Sequence, residues 1–224
     1  MRYIISFLFI SLYANSSIYI HTKDFTIKKD VKSWIEFKNE NLVRQEYDYS
    51  CGSATLATML KYYYGLDVSE KSVLDDILIS KGIDPESKQT LEDSQMSLSF
   101  LDLAEFSTKK GFKTFGVALD FEAMKELKIP VILFVKIRDN EHFTVYKYMD
   151  DNNVYLADPS FGNIKVSIAK FKEMFFQIDD LKYPGKILAI IPDKIQNYSI
   201  DTHFLDVKKH TDFVYEVLRN KSTK

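Results

Sequence analysis

The chain has 224 residues, of which 46% are hydrophobic and 14% aromatic. This composition supplies enough apolar side chains for a sizeable core and excludes an intrinsically disordered chain. The length predicts one domain, or two at most. Lys and Arg together number 30 and Asp and Glu 32, and no long run carries a single sign. The sequence therefore does not favour nucleic-acid binding through a basic surface.

The first 16 residues have the pattern of an export signal. A positive start, Met1-Arg2, precedes an apolar stretch of 11 residues at 3–13, and the small residues Ala14 and Ser16 then stand at the spacing that a signal peptidase recognises. A permanent membrane span needs about 20 apolar residues, so none is expected. We expect a cleaved signal peptide at 1–16 and an exported protein; an uncleaved anchor and a buried N-terminal strand are the alternatives.

The predicted elements change from helices to strands along the chain. A polar lead-in at 17–32 and a short strand at 34–37 precede a helix at 52–64, which Gly65 ends. Further helices are predicted to begin at the capping residues Ser69, Ser97, Asp120 and Ser167. Strands are predicted at 112–119, 131–135, 142–148, 154–158, 164–166 and 186–191. A last helix is predicted at 204–218.

The order of these elements is typical of the α+β class, with N-terminal helices packed on an antiparallel β-sheet. The continuous apolar run at 131–135 is typical of a central strand, and the turn sequence at 150–153 predicts a hairpin. We expect one domain at 33–192. A C-terminal extension at 193–224 is expected to be helical and to dock on its own domain or on a partner.

Cys51 is the only cysteine, and it stands where a loop is predicted to become a helix. A single cysteine cannot form an intrachain disulfide, so in an exported chain it is buried and inert, paired with another chain, or reactive. A helix N-terminus favours the thiolate and lowers the pKa of a cysteine. Because only the thiolate attacks a carbonyl well, Cys51 is a candidate nucleophile.

A nucleophile needs a base, and His142 is the candidate. The hairpin around 150–153 places residue 142 across from about residue 160, so that Asp158 projects on the same face one diagonal step away. The Asp158 carboxylate can then fix the tautomer of the imidazole and stabilise its charged form. A satisfied histidine at a strand end and simple turn chemistry at Asp158-Pro159 are the alternatives. The other histidines are expected to be exposed: His21, His203 and His210.

Gln45 precedes Cys51 by six residues, across a short loop. Its amide can donate a hydrogen bond to the oxyanion that forms when a thiolate attacks a carbonyl. A solvated glutamine is the alternative. No group of Cys or His residues has the spacing of a metal site, so no metal and no cofactor is predicted.

Taken together, these residues resemble a known family. Three segments carry the resemblance: Gln45 with Cys51-Gly52-Ser53-Ala54, then His142-Phe143-Thr144-Val145, then Tyr155-Leu156-Ala157-Asp158-Pro159. They resemble the C39 peptidases, the papain-like cysteine proteases that trim double-glycine leaders from bacteriocin and pheromone precursors. The family commonly has proline where Ser53 stands, a departure outside the chemistry.

The resemblance implies a papain-like fold and acyl transfer through a thioester. By motif, Cys51 is the nucleophile, His142 the base and acid, Asp158 the residue that orients His142, and Gln45 the oxyanion donor. The absence of a transporter segment and the export pattern make the chain similar to standalone, periplasmic members, some of which accompany fibre or functional-amyloid secretion systems. The implied partner is a peptide or protein precursor, cut after small residues.

Three other functions stay open on the sequence alone. The first is a non-catalytic peptide-binding module on the same fold. The second is an acyltransferase or amidase with the same Cys-His-Asp arrangement, because water and another amine compete for the same thioester. The third is a structural domain with one buried cysteine, in which Cys51 would show no selective labelling at neutral pH.

Overall fold

The computed structural model describes residues 17–47, 49–86, 97–137, 140–176 and 184–206. The predicted signal peptide at 1–16 lies outside these ranges. The described residues belong to two compact units that divide between Phe37 and Lys38. No helix in the described ranges is long and apolar enough to cross a bilayer.

The first unit holds a largely exposed β-hairpin within the predicted polar lead-in at 17–32. Its antiparallel strands are β1 (Ser17–His21) and β2 (Thr26–Asp30). Helix α1 (Trp34–Lys38) follows, so the predicted strand at 34–37 is wrong. The N–H of Ser33 donates to the Glu36 carboxylate, and Oγ of Ser33 accepts from the N–H of Glu36. This reciprocal cap favours a helical turn over an extended chain.

Three helices open the second unit: α2 (Cys51–Tyr62), α3 (Glu70–Ser80) and α4 (Phe100–Lys109). Ser69 caps α3 as predicted, because its side chain accepts the N–H of Ser72. Helix α4 begins later than predicted. Ser99, and not Ser97, exchanges hydrogen bonds with Asp102 three residues further on, which gives a complete capping box.

Six antiparallel strands form the sheet of this unit: β3 (Phe112–Leu119), β4 (Val131–Ile137), β5 (Asn140–Met149), β6 (Asn153–Asp158), β7 (Gly162–Ser167) and β8 (Gly185–Pro192). They stand side by side in the order β3-β8-β4-β5-β6-β7. Two more helices lie along the chain, α5 (Phe121–Lys125) and α6 (Ile168–Phe175). The predicted α+β class is confirmed.

Helices cover both faces of the sheet. Helix α2 is buried throughout 52–60 and shares one core with Ile132 and Val145. The other core contains Leu133 and Val135 together with the buried side chains of α6. Alternate residues of β4 therefore point into different cores, which explains why 131–135 is apolar without interruption.

The β5–β6 hairpin has the predicted register on the side that matters for the site. Val145 pairs with Ala157 and Tyr146 with Leu156. One extra residue, Lys147, then bulges from β5 before pairing resumes. The bulge lies toward the turn, so it does not shift the strand ends that carry His142 and Asp158.

Residues after β8 pack back onto the second unit. The ring centroids of Tyr198 and Phe112 are 4.4 Å apart, and Phe204 is fully buried. A 3₁₀ helix at Thr202–Leu205 stands where the α-helix at 204–218 was predicted to start. Asp201 begins this short helix, because its side chain accepts the N–H of His203. Residues 207–218 of the predicted helix lie outside the described ranges.

Candidate active site

Cys51 is the first residue of α2, and its thiol accepts the main-chain N–H of Phe143 in β5. Oγ1 of Thr55, one turn along the helix, donates to the carbonyl oxygen of Phe143 at 3.0 Å. Gly52 lets the helix approach closely, since a β-carbon there would lie 3.2 Å from Cδ2 of Phe143. Helix α2 and this contact bring the thiol to the strand that carries His142.

Burial raises the pKa of the Cys51 thiol above its ordinary value. The main-chain N–H groups of Phe143 and Gly52 lower the pKa by less, and the charge of Asp158 raises it further. The position at a helix N-terminus predicts a lowered pKa for Cys51, and that prediction is wrong in direction, because loss of water around the sulfur outweighs the N–H groups. A thiolate at neutral pH therefore requires a group that takes its proton.

His142 and Asp158 form a buried pair, and Phe143, the residue after His142, bonds the Cys51 thiol through its main-chain N–H. Nε2 of His142 lies 2.8 Å from Oδ2 of Asp158, and the two residues are 8% and 0% exposed. The other carboxylate oxygen, Oδ1, accepts the N–H groups of Ser160 and Phe161, each at 2.9 Å. The carboxylate is thus held on both sides, and it leaves Nδ1 as the ring nitrogen available for proton exchange.

Gln45 lies in the same network, and its main chain and side chain are hydrogen-bonded to neighbouring residues. Its main-chain N–H donates to the carbonyl oxygen of Pro159 at 3.2 Å, and its Oε1 accepts from Oγ of Ser160 at 2.6 Å. Its Nε2 donates to the carbonyl oxygen of Tyr47 at 3.3 Å. The loop before α2 and the loop after β6 are therefore joined through Gln45. All four predicted site residues lie in the second unit.

Residues 39–178 match the model of the peptidase C39 family. The chain belongs to this family. At the position where the family commonly has proline, Oγ of Ser53 donates to the carbonyl oxygen of Ser50 at 2.8 Å. The N–H groups in the first turn of a helix have no intrahelical partner, so this position accepts either residue.

Two curated relatives share this family region. The "Probable functional amyloid protease FapD" of Pseudomonas fluorescens is 36% identical over 141 residues, which cover 63% of this chain and 59% of that protein. The protein of the same description from Pseudomonas aeruginosa is 32% identical over 145 residues, which cover 65% and 61%. The matched region thus spans about three fifths of the length of these relatives.

A solved structure supports the fold. The double glycine motif protease from an AMS/PCAT transporter, in complex with its leader peptide, superimposes with a TM-score of 0.51 at 22% identity and covers 67% of this chain and 90% of that one. The predicted papain-like peptidase fold of the C39 type is thereby confirmed.

The remaining histidines stand apart from this chemistry. His21 is exposed in the hairpin of the first unit, where its Nδ1 lies 2.9 Å from Oγ1 of Thr26. His203 is also exposed, and its contact with Asp206 raises the pKa of its imidazole. His210 lies outside the described residues.

Glu70 is a further residue of the site, and no motif in the sequence indicates it. It is 4% exposed, and its two carboxylate oxygens accept the N–H of Glu46, each at 3.1 Å. Oγ of Ser50, the residue before Cys51, also donates to this carboxylate. A glutamate in the first turn of a helix is commonly explained by its interaction with the helix dipole. The sequence pattern therefore gives no sign of its contacts with the loop at 45–50.

We expect Glu70→Gln to destabilise the protein by about 1–3 kcal/mol, because an amide nitrogen would replace one acceptor and leave a buried donor unpaired. Urea unfolding measures this change, and alkylation of Cys51 by iodoacetamide should slow as the loop loosens. The matched control is Glu105→Gln, which changes an exposed glutamate of α4 and should shift stability by less than about 0.5 kcal/mol. Equal effects of the two changes would contradict the role given to Glu70.

Proposed function

We propose that this protein is a cysteine endopeptidase that cuts peptide or protein precursors. Cys51 is its nucleophile, His142 its base and acid, Asp158 the residue that orients His142, and Gln45 its oxyanion donor. The observation that carries the proposal is the buried 2.8 Å contact between His142 and Asp158, next along the strand to Phe143, whose main-chain N–H bonds the Cys51 thiol. Membership of the peptidase C39 family supports the same reaction class.

The reaction begins with transfer of the Cys51 proton to Nδ1 of His142. The sulfur then attacks the scissile carbonyl carbon, an S–C bond forms, and the carbonyl electron pair moves onto oxygen. The amide of Gln45 and the N–H of Cys51 stabilise this oxyanion. Protonated His142 gives its proton to the leaving nitrogen as the C–N bond breaks, which leaves a thioester on Cys51.

Hydrolysis of the thioester reverses these roles. His142 takes a proton from water, and the hydroxide attacks the thioester carbon. The carbonyl re-forms as the C–S bond breaks, and His142 returns its proton to the sulfur. Asp158 holds the imidazole so that Nδ1 faces the thiol throughout, because Nε2 is engaged by the carboxylate.

The proposed substrates are exported precursors, cut after small residues of the Gly-Gly kind. The names of the relatives, which describe functional amyloid proteases, support a partner in a secretion or fibre-assembly system. The signal-like pattern at 1–16 supports export, with the periplasm as the compartment. The preference for small residues before the cut is carried over from the family and is proposed for this chain.

Incubation with a peptide library tests the activity. Wild-type protein and Cys51→Ala are each mixed with the library and with a synthetic Gly-Gly peptide, and the products are identified by mass spectrometry. We expect defined cleavage by the wild type alone, with small residues before the cut. Equal products from both proteins, or no product from either, would overturn the peptidase assignment.

A further inference from the structure

Ser160 connects the two halves of the candidate active site. Its Oγ donates to Oε1 of Gln45 at 2.6 Å, while its N–H donates to Oδ1 of Asp158 at 2.9 Å. Its carbonyl oxygen accepts from the guanidinium of Arg44. One residue thus contacts the proposed oxyanion donor and the carboxylate that holds His142.

These contacts decide which way the Gln45 amide faces. The carbonyl oxygen of Tyr47 can only accept, so the nitrogen end of the amide lies there, at 3.3 Å. The Ser160 hydroxyl donates to the oxygen end. Turning the amide over would bring two oxygens together at Tyr47. One N–H of Gln45 then remains, and it has no hydrogen-bond partner among the residues that the structure describes.

The same network reaches the nucleophile. The carbonyl oxygen of Tyr47 accepts the N–H of Ser50 at 3.2 Å, and the N–H of Tyr47 donates to Oγ of Ser50 at 3.2 Å. Ser50 is the N-cap of α2, directly before Cys51. The chain of contacts from Ser160 through Gln45 and Tyr47 therefore ends at the residue next to the thiol.

We propose that Ser160 is a positioning residue that fixes the Gln45 amide so that its remaining N–H meets the oxyanion. This inference rests on the proposed function and deepens it. Hydrogen-bond donors stabilise an oxyanion best when they are held in place before the reaction. A glutamine side chain without an anchor has many rotamers and loses their entropy at the moment of reaction.

Two measurements separate oxyanion binding from thiolate formation. The probe for the first is the peptide aldehyde acetyl-Leu-Gly-glycinal, which adds to a thiol: an S–C bond forms and the carbonyl electron pair moves onto oxygen, where an oxyanion donor binds it. The probe for the second is iodoacetamide, which reports the readiness of the Cys51 thiolate without an oxyanion. Protection of Cys51 from iodoacetamide gives the dissociation constant of the aldehyde.

We expect Ser160→Ala to weaken aldehyde binding about tenfold. Removing an oxyanion donor outright costs more, about 10²- to 10³-fold. The alkylation rate without aldehyde should stay within about twofold, because Ser160→Ala keeps the main-chain N–H that Asp158 accepts. Ser160→Thr retains the hydroxyl and should restore aldehyde binding. In a Gln45→Ala background, Ser160→Ala should weaken binding no further.

Three results would overturn the inference. The first is that Ser160→Ala weakens aldehyde binding equally with Gln45 present and with Gln45 replaced by alanine. The second is that the alkylation rate of Cys51 falls in parallel with aldehyde binding. The third is that wild-type protein does not bind the aldehyde. The proposed function fails separately. Wild-type protein that binds the aldehyde and cleaves no peptide overturns the peptidase but leaves the Ser160 comparison decisive. Peptide cleavage combined with unchanged aldehyde binding in Ser160→Ala overturns only the inference.

Discussion

His142→Ala is expected to lower peptide turnover about 10³-fold or more, since one group serves as base and acid in both halves of the reaction. The same change should also slow alkylation of Cys51 at pH 7. Burial raises the pKa of the thiol, so without a proton acceptor the thiolate forms only at alkaline pH. Alkylation by iodoacetamide, followed from pH 5 to 10, measures this change.

The sign of the pH dependence distinguishes the two proteins. Wild type should be alkylated rapidly at neutral pH, because the thiolate is paired with protonated His142. The rate for His142→Ala should be low there and rise with pH through the raised pKa of the thiol. The matched control is His203→Ala, because the His203 side chain is 85% exposed. This substitution should leave peptide turnover and the alkylation rate unchanged. If His142→Ala does not lower the alkylation rate of Cys51 at neutral pH, His142 is not the base of this site.

Asp158→Asn is expected to lower turnover about 10⁴-fold, because it keeps the geometry of the site but fixes the wrong tautomer of His142. The asparagine oxygen keeps the N–H groups of Ser160 and Phe161, which both bind Oδ1. The amide nitrogen then faces Nε2 of His142 and forces that nitrogen to accept. The proton moves to Nδ1, where neutral imidazole can no longer take a proton from Cys51.

Two measurements check this assignment. Turnover of the cleaved peptide gives the loss, and thermal unfolding shows whether the hairpin remains folded. Asp158→Ala should lower stability as well, because it leaves two main-chain N–H groups without their acceptor. Asp151→Asn, at an exposed turn position, is the control. Turnover near the wild-type value in Asp158→Asn would contradict the orienting role.

The pair of His142 and Asp158 could be predicted because its determinants are local. The turn at 150–153 and the strands on either side of it fix the register, and pairing of Val145 with Ala157 continues that register toward the site. The pKa of Cys51 could not be predicted in the same way. It depends on how much water the surrounding chain removes from the sulfur, and no motif around residue 51 records that.

Glu70 and Ser160 escaped prediction for a related reason. Their side chains act across 20 residues to Ser50 and 115 residues to Gln45. Single polar contacts of this kind leave no periodic pattern in a sequence. The strand predicted at 34–37 failed differently: an alternating pattern of only four residues was weaker than the cap that Ser33 and Glu36 form.

Detection of the acyl-enzyme tests the central claim most directly. Wild-type protein is mixed with a peptide that it cleaves, quenched with acid within milliseconds to seconds, and digested for mass spectrometry. The predicted result is a thioester that joins Cys51 to the segment N-terminal to the cut. Rapid cleavage with Cys51 never acylated, or with the acyl group on another residue, would contradict the mechanism.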